Sequence, residues 1–253
     1  FTVTVGMALL LAEFAMGRAG RSGPVGSLNN VCGKPCGIFG GIGVFTVFLI
    51  LSFYSIVGGW CLKYTADAAT GAGLKIAPEQ LGAYFGAFVS DGVSSYLMLL
   101  LFLFITAIVV LRGIDKGVER FAKVLMPALF VLMIVLIIRG VTLPGGWEGV
   151  KFLFMPRWED FSGSALFNAM GFCFFSLSLG AGTMITYGTY LSDKANLPGS
   201  VGWVAVLAIL SSLLGGLMVM PAVFAFGLDP AAGPGLTFVT MPAIFSKMPM
   251  GQL

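Results

Sequence analysis

The stretch Phe174-Phe-Ser-Leu-Ser-Leu-Gly-Ala-Gly182 lies in a tract that has no charged side chain between Asp160 and Asp193. Such a tract is long enough to cross a bilayer as a helix, which needs roughly 20 apolar residues. Its centre, however, combines serines that bond to nearby backbone with glycines that readily leave helical geometry. A loosened backbone at this depth is tolerated only where it faces protein, water or a ligand. The pattern therefore predicts a membrane helix that is broken near 176–182 and carries a binding site at the break.

The composition of the chain is that of an integral membrane protein. Of its 253 residues, 58% are hydrophobic and 10% are charged, and the mean hydropathy is +0.98. A net charge of +3 is too small to indicate a nucleic-acid partner. The sequence contains no histidine, and Cys32 with Cys36 makes only half of a zinc site. We therefore predict a protein that is not an enzyme, binds no cofactor and has the lipid bilayer as its surroundings.

Six apolar segments predict an all-α polytopic membrane protein. Judged by charge-free length and flanking turns, they lie at about 1–17, 38–63, 93–111, 121–140, 165–190 and 199–227. No linker or change of composition divides residues 1–253, so we predict a single transmembrane domain. The chain begins inside an apolar run and ends where a new segment starts, which indicates an internal piece of a longer protein.

Basic residues in the short loops predict the orientation. The loop after the first segment carries Arg18, Arg21 and Lys34 without an acidic residue, and the loop over 112–123 adds four more basic residues. Loops rich in lysine and arginine stay in the cytoplasm. Both loops are therefore predicted to lie on the cytoplasmic side of the membrane.

Two single side chains within the apolar segments leave alternatives open. Glu13 is the only acidic residue well inside such a segment, and an intramembrane carboxylate is a functional hypothesis by default. A gating role and a structural role, through a bond to backbone or to a basic group, both fit Glu13. Tyr54 fits a core residue whose hydroxyl bonds to a neighbouring helix, and it also fits a hydroxyl that closes over a polar ligand.

The residues around the break form an oxygen-rich site. Ser176 and Ser178 are individually ordinary, since serines in membrane helices often bond to their own helix. Together with the glycines and the Phe174–Phe175 pair, they offer hydroxyl and carbonyl oxygens beside an aromatic wall. Such a neutral site suits a monovalent cation and a small ligand whose own charge completes the balance. A carboxylate about 4 Å from a sodium ion would be strongly attracted in a low-dielectric site.

Several stretches resemble the bacterial, leucine-transporter-like branch of the neurotransmitter:sodium symporter family. The resemblance lies in Arg112–Pro127, Phe174–Gly180 with Ile185–Tyr190, Pro221–Gly227, Ala12–Arg18 and Leu51–Ser55. It covers essentially the whole chain. It implies part of an inverted-repeat helical bundle, in which the six segments are the second to seventh helices and the first helix and those after the seventh lie outside this chain.

The resemblance also implies a function and roles for single residues. The function is sodium-coupled symport of a neutral amino acid by alternating access, in the inner membrane of a bacterium. Tyr54 matches the tyrosine that caps the substrate, Ile50 a neighbouring pocket position and Phe175 the aromatic gate. Ser176 matches a ligand of the first sodium ion.

The remaining matches concern the substrate pocket and its surroundings. Ser178 and Ala181 match positions that face the substrate, and Glu13 looks like the family's acidic residue near the end of its second helix. Ala181 stands where the family has a bulkier side chain, which implies a larger pocket and a bulky aliphatic or aromatic substrate.

Two departures from the family leave the ion sites open. Phe172 stands where a glutamine is common, and residues 207–212 offer only Ser211 and Ser212 where the family has a polar or acidic residue near the first sodium site. Sodium stoichiometry, chloride dependence and the oligomeric state therefore stay open. The alternatives are a polytopic membrane protein that transports nothing, such as an assembly subunit or a membrane-embedded enzyme, and a channel.

Overall fold

The structure is a computed structural model that describes residues 1–71, 76–77, 80–156, 158–230 and 235–246. Within these ranges the secondary structure is helical and contains no strand, which confirms the all-α fold class. The helices are α1 Met7–Gly20, α2 Pro24–Cys32, α3 Gly37–Thr70, α4 Leu81–Ser90, α5 Gly92–Leu111, α6 Arg120–Thr142, α7 Gly146–Phe154, α8 Gly163–Ser176, α9 Thr183–Thr189, α10 Leu197–Ala225 and α11 Gly235–Ser246. A π-helical turn at Thr2–Gly6 precedes α1.

Five helical stretches of the described chain are long and apolar enough to cross a membrane. They are Thr2–Gly20, Lys34–Thr70, Gly92–Leu111, Gly117–Thr142 and Leu197–Ala225. The predicted segment 165–190 does not join this group, because its backbone leaves helical geometry between α8 and α9. These two helices have 14 and 7 residues, and each is shorter than the roughly 20 residues that a span requires.

Helix α3 continues to Thr70, beyond the predicted end of its segment at residue 63. The extension contains Lys63 and Asp67, which form an ion pair one turn apart. The hydroxyl of Tyr84, in α4, donates to Asp67 Oδ2 at 2.7 Å and accepts from Lys63 Nζ at 3.0 Å. Burial of the phenol and its bond to the Asp67 carboxylate raise the pKa of Tyr84. Because these polar groups bond to one another, the helix continues past Lys63, the charged residue at which the predicted segment ended.

The chain forms two compact units, which we call the first and the second unit. The first unit comprises Phe1–Ser52 with Arg157–Ser212, and the second comprises Phe53–Pro156 with Leu213–Leu253. The single transmembrane domain predicted from the sequence stays a prediction. In the second unit, Phe85 of α4 stacks on Phe238 of α11 with ring centroids 5.6 Å apart, and Trp60 of α3 meets Phe85 edge-on at 5.1 Å. These rings join three helices of that unit.

The core of the first unit lies between α1, α8, α9 and the start of α10. Its buried members are Leu10, Phe14, Cys173, Leu177, Leu179, Leu197 and Val201. Gly17 and Gly188 let the backbones of α1 and α9 touch, since a Cβ on Gly188 would lie 2.6 Å from the carbonyl oxygen of Phe14. Small residues permit such close helix packing in membranes. The contact places Glu13, one turn before Gly17, against the residues that follow α8.

Candidate functional site

The backbone breaks between Ser176, the last residue of α8, and Thr183, the first residue of α9. Gly180 and Gly182 have φ values of 78° and 74°, in the left-handed region that glycine adopts without steric cost. Ser178 also has a positive φ, of 53°, although it carries a Cβ. This left-handed conformation is unfavourable for most L-residues. The glycines therefore explain why the helix ends here and does not resume at once.

Side chains in the break alternate between the core and the open side of the first unit. Leu177 and Leu179 are only 1% and 8% exposed and belong to the buried core. Ser176 and Gly180 are exposed, and Ser178 is half-buried. The two leucines thus attach the segment to the core, and the residues between them face away from it.

Backbone and hydroxyl oxygens are available at the break. The carbonyl groups of residues 176–181 accept no hydrogen bond from any described residue, and the hydroxyls of Ser176 and Ser178 likewise form none within the described ranges. Unwound backbone carbonyl groups coordinate sodium ions at the broken helices of transporters, and the serine hydroxyls add further oxygen atoms here. The break therefore presents the donor set that a monovalent cation needs.

Glu13 is attached to the break by a hydrogen bond to backbone. Its Oε1 accepts the N–H of Gly180 at 2.7 Å, and its side chain is buried, with 7% exposed. Its other carboxylate oxygen, Oε2, is buried without a hydrogen-bond partner among the described residues. In the structure Glu13 therefore bonds to the backbone of the break, and its gating role stays a prediction.

Two further close approaches fix the position of the break. A Cβ on Gly182 would lie 2.8 Å from the Pro24 Cβ at the start of α2, and a Cβ on Gly43 of α3 would lie 2.9 Å from the carbonyl oxygen of Ala181. Sequence reasoning missed Pro24. The spacing of Gly40 and Gly43 indicates helix packing through small residues, but it does not identify the partner.

We expect Gly182→Ala to lower the stability of the first unit more than Gly180→Ala does. Both residues have positive φ, so a methyl group strains each backbone by about 1 kcal/mol. Space around Gly180 is open, whereas the methyl group at residue 182 would also press on Pro24, which adds about 1 kcal/mol or more. Thermal unfolding of the purified full-length variants in detergent measures the difference. Equal melting temperatures for the two variants would contradict the packing of the break on α2.

The remaining predicted site residues are Phe175, Ala181, Ile50 and Tyr54. Phe175, in the last turn of α8, is 55% exposed, and Ala181 is half-buried at the end of the break. Ile50 and Tyr54 are four residues apart on one face of α3, and the Tyr54 ring meets Phe53 edge-on at 5.9 Å. The structure thus places Ser176, Ser178 and Ala181 in the break to which Glu13 bonds. The roles of these residues, like those of Ile50, Tyr54 and Phe175, stay predictions.

The two serines of α10 bond to their own helix. The Ser211 hydroxyl donates to the carbonyl oxygen of Leu207 at 2.7 Å, and that of Ser212 donates to the carbonyl oxygen of Ala208 at 2.9 Å. This back-bonding is common for serines in membrane helices. This back-bonding distinguishes the serines of α10 from Ser176 and Ser178 at the break, whose hydroxyls have no such partner among the described residues.

Comparisons with known proteins assign the chain to a family. The profile of the Sodium:neurotransmitter symporter family matches residues 88–253. The uncharacterized sodium-dependent transporter YhdH of Bacillus subtilis is 39% identical over 254 residues, which cover 100% of this chain and 56% of the relative. An uncharacterized sodium-dependent transporter of Haemophilus influenzae is 31% identical, with 99% of this chain and 57% of the relative covered. The crystal structure of MhsT in complex with L-phenylalanine matches with a TM-score of 0.92 and 41% identity, covering 100% of this chain and 58% of that chain.

A polytopic helical fold with a broken, oxygen-lined helix defines the class as a membrane transporter. The chain belongs to the sodium:neurotransmitter symporter family. Similarity to MhsT over the whole chain confirms the fold expected from the resemblance, and the matched family is one of transporters, not of enzymes. The chain spans between half and two thirds of the length of the relatives that it matches.

Proposed function

We propose that the full-length protein is a sodium-coupled symporter of a bulky neutral amino acid, aliphatic or aromatic, in the inner membrane of a bacterium. The observation that carries this proposal is the break at 176–182, where the carbonyl groups of residues 176–181 and the hydroxyls of Ser176 and Ser178 have no hydrogen-bond partner among the described residues. Two relatives are named sodium-dependent transporters, and MhsT was crystallised with L-phenylalanine. These names support both the coupling ion and the substrate class.

Ser176 and the free carbonyl groups of the break are the proposed sodium ligands in this chain. Residues supplied by the rest of the protein complete the coordination. The bound ion then attracts the carboxylate of the amino acid, since opposite charges interact strongly where water is excluded. Ion and substrate stabilise one another in a shared site, so both must be present before the equilibrium shifts between outward-open and inward-open states.

The substrate side chain is proposed to lie against apolar and aromatic residues. Phe175 closes the site as a gate, Tyr54 caps the substrate, and Ile50 contributes to the pocket wall. Ser178 and Ala181 face the substrate from the break. The methyl group of Ala181 occupies little volume, which supports a bulky aliphatic or aromatic side chain in the ligand.

Uptake measurements on the full-length protein test this proposal. In proteoliposomes with an inward sodium gradient, labelled phenylalanine should accumulate, and it should not accumulate when sodium is equal on both sides. We expect Ser176→Ala to raise the sodium concentration for half-maximal uptake about tenfold, which corresponds to about 1.4 kcal/mol of lost ion binding.

Ser211→Ala is the matched control for the sodium ligand. The Ser211 hydroxyl is already bonded to its own helix, so its loss should leave the sodium dependence unchanged. Equal uptake with and without the gradient would exclude symport. An unchanged sodium requirement in Ser176→Ala would remove Ser176 from the ion site while leaving symport intact.

A further inference from the structure

The second unit contains a groove at the junction of α5 and α6. It has a volume of about 490 Å³. Its apolar walls are formed by Ile105, Ile108, Val109, Phe121, Val124 and Leu125. Two arginines, Arg112 and Arg120, line the same groove, on either side of the turn that joins the two helices. The groove therefore combines an apolar trough with two positive charges.

The turn between the helices explains the shape of the groove. Gly113 has a φ of 82°, which reverses the chain directly after α5 with a conformation suited to glycine. Gly117 packs on the end of α5, where a Cβ would overlap the carbonyl oxygen of Val109. The close turn brings Arg112 and Arg120 to one end of the groove, and the apolar faces of α5 and α6 extend away from them.

The two arginines have no acidic partner among the side chains that the structure describes, which do not include those of residues 114–116. Among these described side chains, neither guanidinium has an ion pair or a hydrogen bond, and both arginines are exposed. Glu119, a neighbouring acid, pairs instead with Lys123. An anion that enters the groove would therefore meet two exposed guanidinium groups.

We propose that this groove binds an anionic phospholipid from the cytoplasmic leaflet. The phosphate lies against Arg112 and Arg120, because planar guanidinium groups match phosphate oxygens in pairs. One acyl chain lies along the apolar walls formed by α5 and α6. Basic side chains next to membrane helices on the cytoplasmic side attract anionic lipid headgroups, and the loop over 112–123 carries the basic residues that predict this side.

The apolar walls favour a lipid over a soluble anion. Both helices of the groove belong to stretches long and apolar enough to cross a membrane, Gly92–Leu111 and Gly117–Thr142. A small phosphate compound would use the two arginines and leave the rest of the groove unfilled. A phospholipid fills both parts at once. The inference does not depend on which solute the protein transports.

Native mass spectrometry of the delipidated full-length protein tests the site. Phosphatidylglycerol, phosphatidylethanolamine and glycerol 3-phosphate are titrated separately, the last as a headgroup without acyl chains. We expect phosphatidylglycerol to bind at least about tenfold more tightly than phosphatidylethanolamine, and R112Q/R120Q to remove that preference. Glycerol 3-phosphate should not compete with phosphatidylglycerol at equal concentration.

The control variant K34Q/K194Q removes two other exposed lysines from loops that the predicted topology places on the same side. It should retain the preference for phosphatidylglycerol. Equal losses in both double variants would show a general charge effect and overturn the site. Three other outcomes would overturn it as well. The first is unchanged binding in R112Q/R120Q, and the second is effective competition by glycerol 3-phosphate. The third is that the wild-type protein binds no phosphatidylglycerol, as when another helix covers the groove.

Discussion

Gly17→Ala is expected to lower the free energy of unfolding of the full-length protein by at least about 3 kcal/mol, the upper end of the usual cost of overpacking. The added methyl group would overlap the carbonyl oxygen of Ile185 and lie 2.8 Å from its carbonyl carbon. Both atoms belong to the backbone of α9, so no side-chain rotation can relieve the clash. A lower melting temperature and a smaller folded fraction on size-exclusion chromatography in detergent would report the loss.

Gly202→Ala is the matched control for this prediction. Gly202 lies in α10 of the same unit, and outside its own helix no atom of the described residues lies within 4 Å of its added Cβ. Alanine is favoured over glycine in a helix by up to about 1 kcal/mol, so this variant should melt at or above the wild-type temperature. If Gly17→Ala were as stable as Gly202→Ala, the direct backbone contact between α1 and α9 would be wrong.

Glu13→Ala is expected to reduce sodium-driven uptake by about thirtyfold, because removing one partner of a buried hydrogen bond leaves the other group unsatisfied, at a cost of about 2 kcal/mol. The substitution removes the acceptor of the Gly180 N–H and leaves a cavity beside the break. The break can then relax, and its oxygens no longer hold one geometry for the ion. Initial rates in proteoliposomes, corrected for the amount of folded protein, measure the effect.

Two other variants separate the hydrogen bond from the charge. Glu13→Gln keeps an amide oxygen that can accept the Gly180 N–H, and it should retain most of the uptake. Glu148→Ala removes a glutamate whose only described ion pair is an exposed one with Lys151, and surface pairs of this kind contribute little. Full activity in Glu13→Ala would contradict the positioning of the break by Glu13, whereas equal losses in Glu13→Ala and Glu13→Gln would attribute the effect to charge.

Local backbone preference made the break predictable from the sequence. Gly180 and Gly182 adopt the left-handed conformations that their lack of a Cβ permits, and the neighbouring serines add little helix propensity. The membrane-spanning segments were predictable for the same reason, because the length of a charge-free run of residues decides whether a helix can span the membrane. The end of α3 could not be predicted from local sequence, since its extension past Lys63 depends on Tyr84 in a different helix.

Contacts between residues far apart in the sequence account for the features of the site that could not be predicted. Glu13 was recognisable as unusual because a carboxylate in an apolar segment is rare, yet its partner Gly180 lies 167 residues away. The contacts of Gly17 with α9, and of Gly43 with the break, are likewise products of packing. Residue roles such as the substrate cap proposed for Tyr54 rest on family resemblance, since the sequence alone is equally compatible with a tyrosine in the core of the helix bundle.

The alternation of Leu177 and Leu179 with exposed or half-buried neighbours has a consequence for how this region can evolve. The alternation arises from tight turns, since Leu177 has φ −90° and ψ 0° and Ser178 and Gly180 have positive φ. The backbone conformation is therefore set position by position. Single side chains in the break can be replaced while the leucines hold it in place. Insertion or loss of one residue would instead move left-handed conformations from the glycines onto residues that carry a Cβ, which disfavour them, so selection here acts on length before it acts on identity.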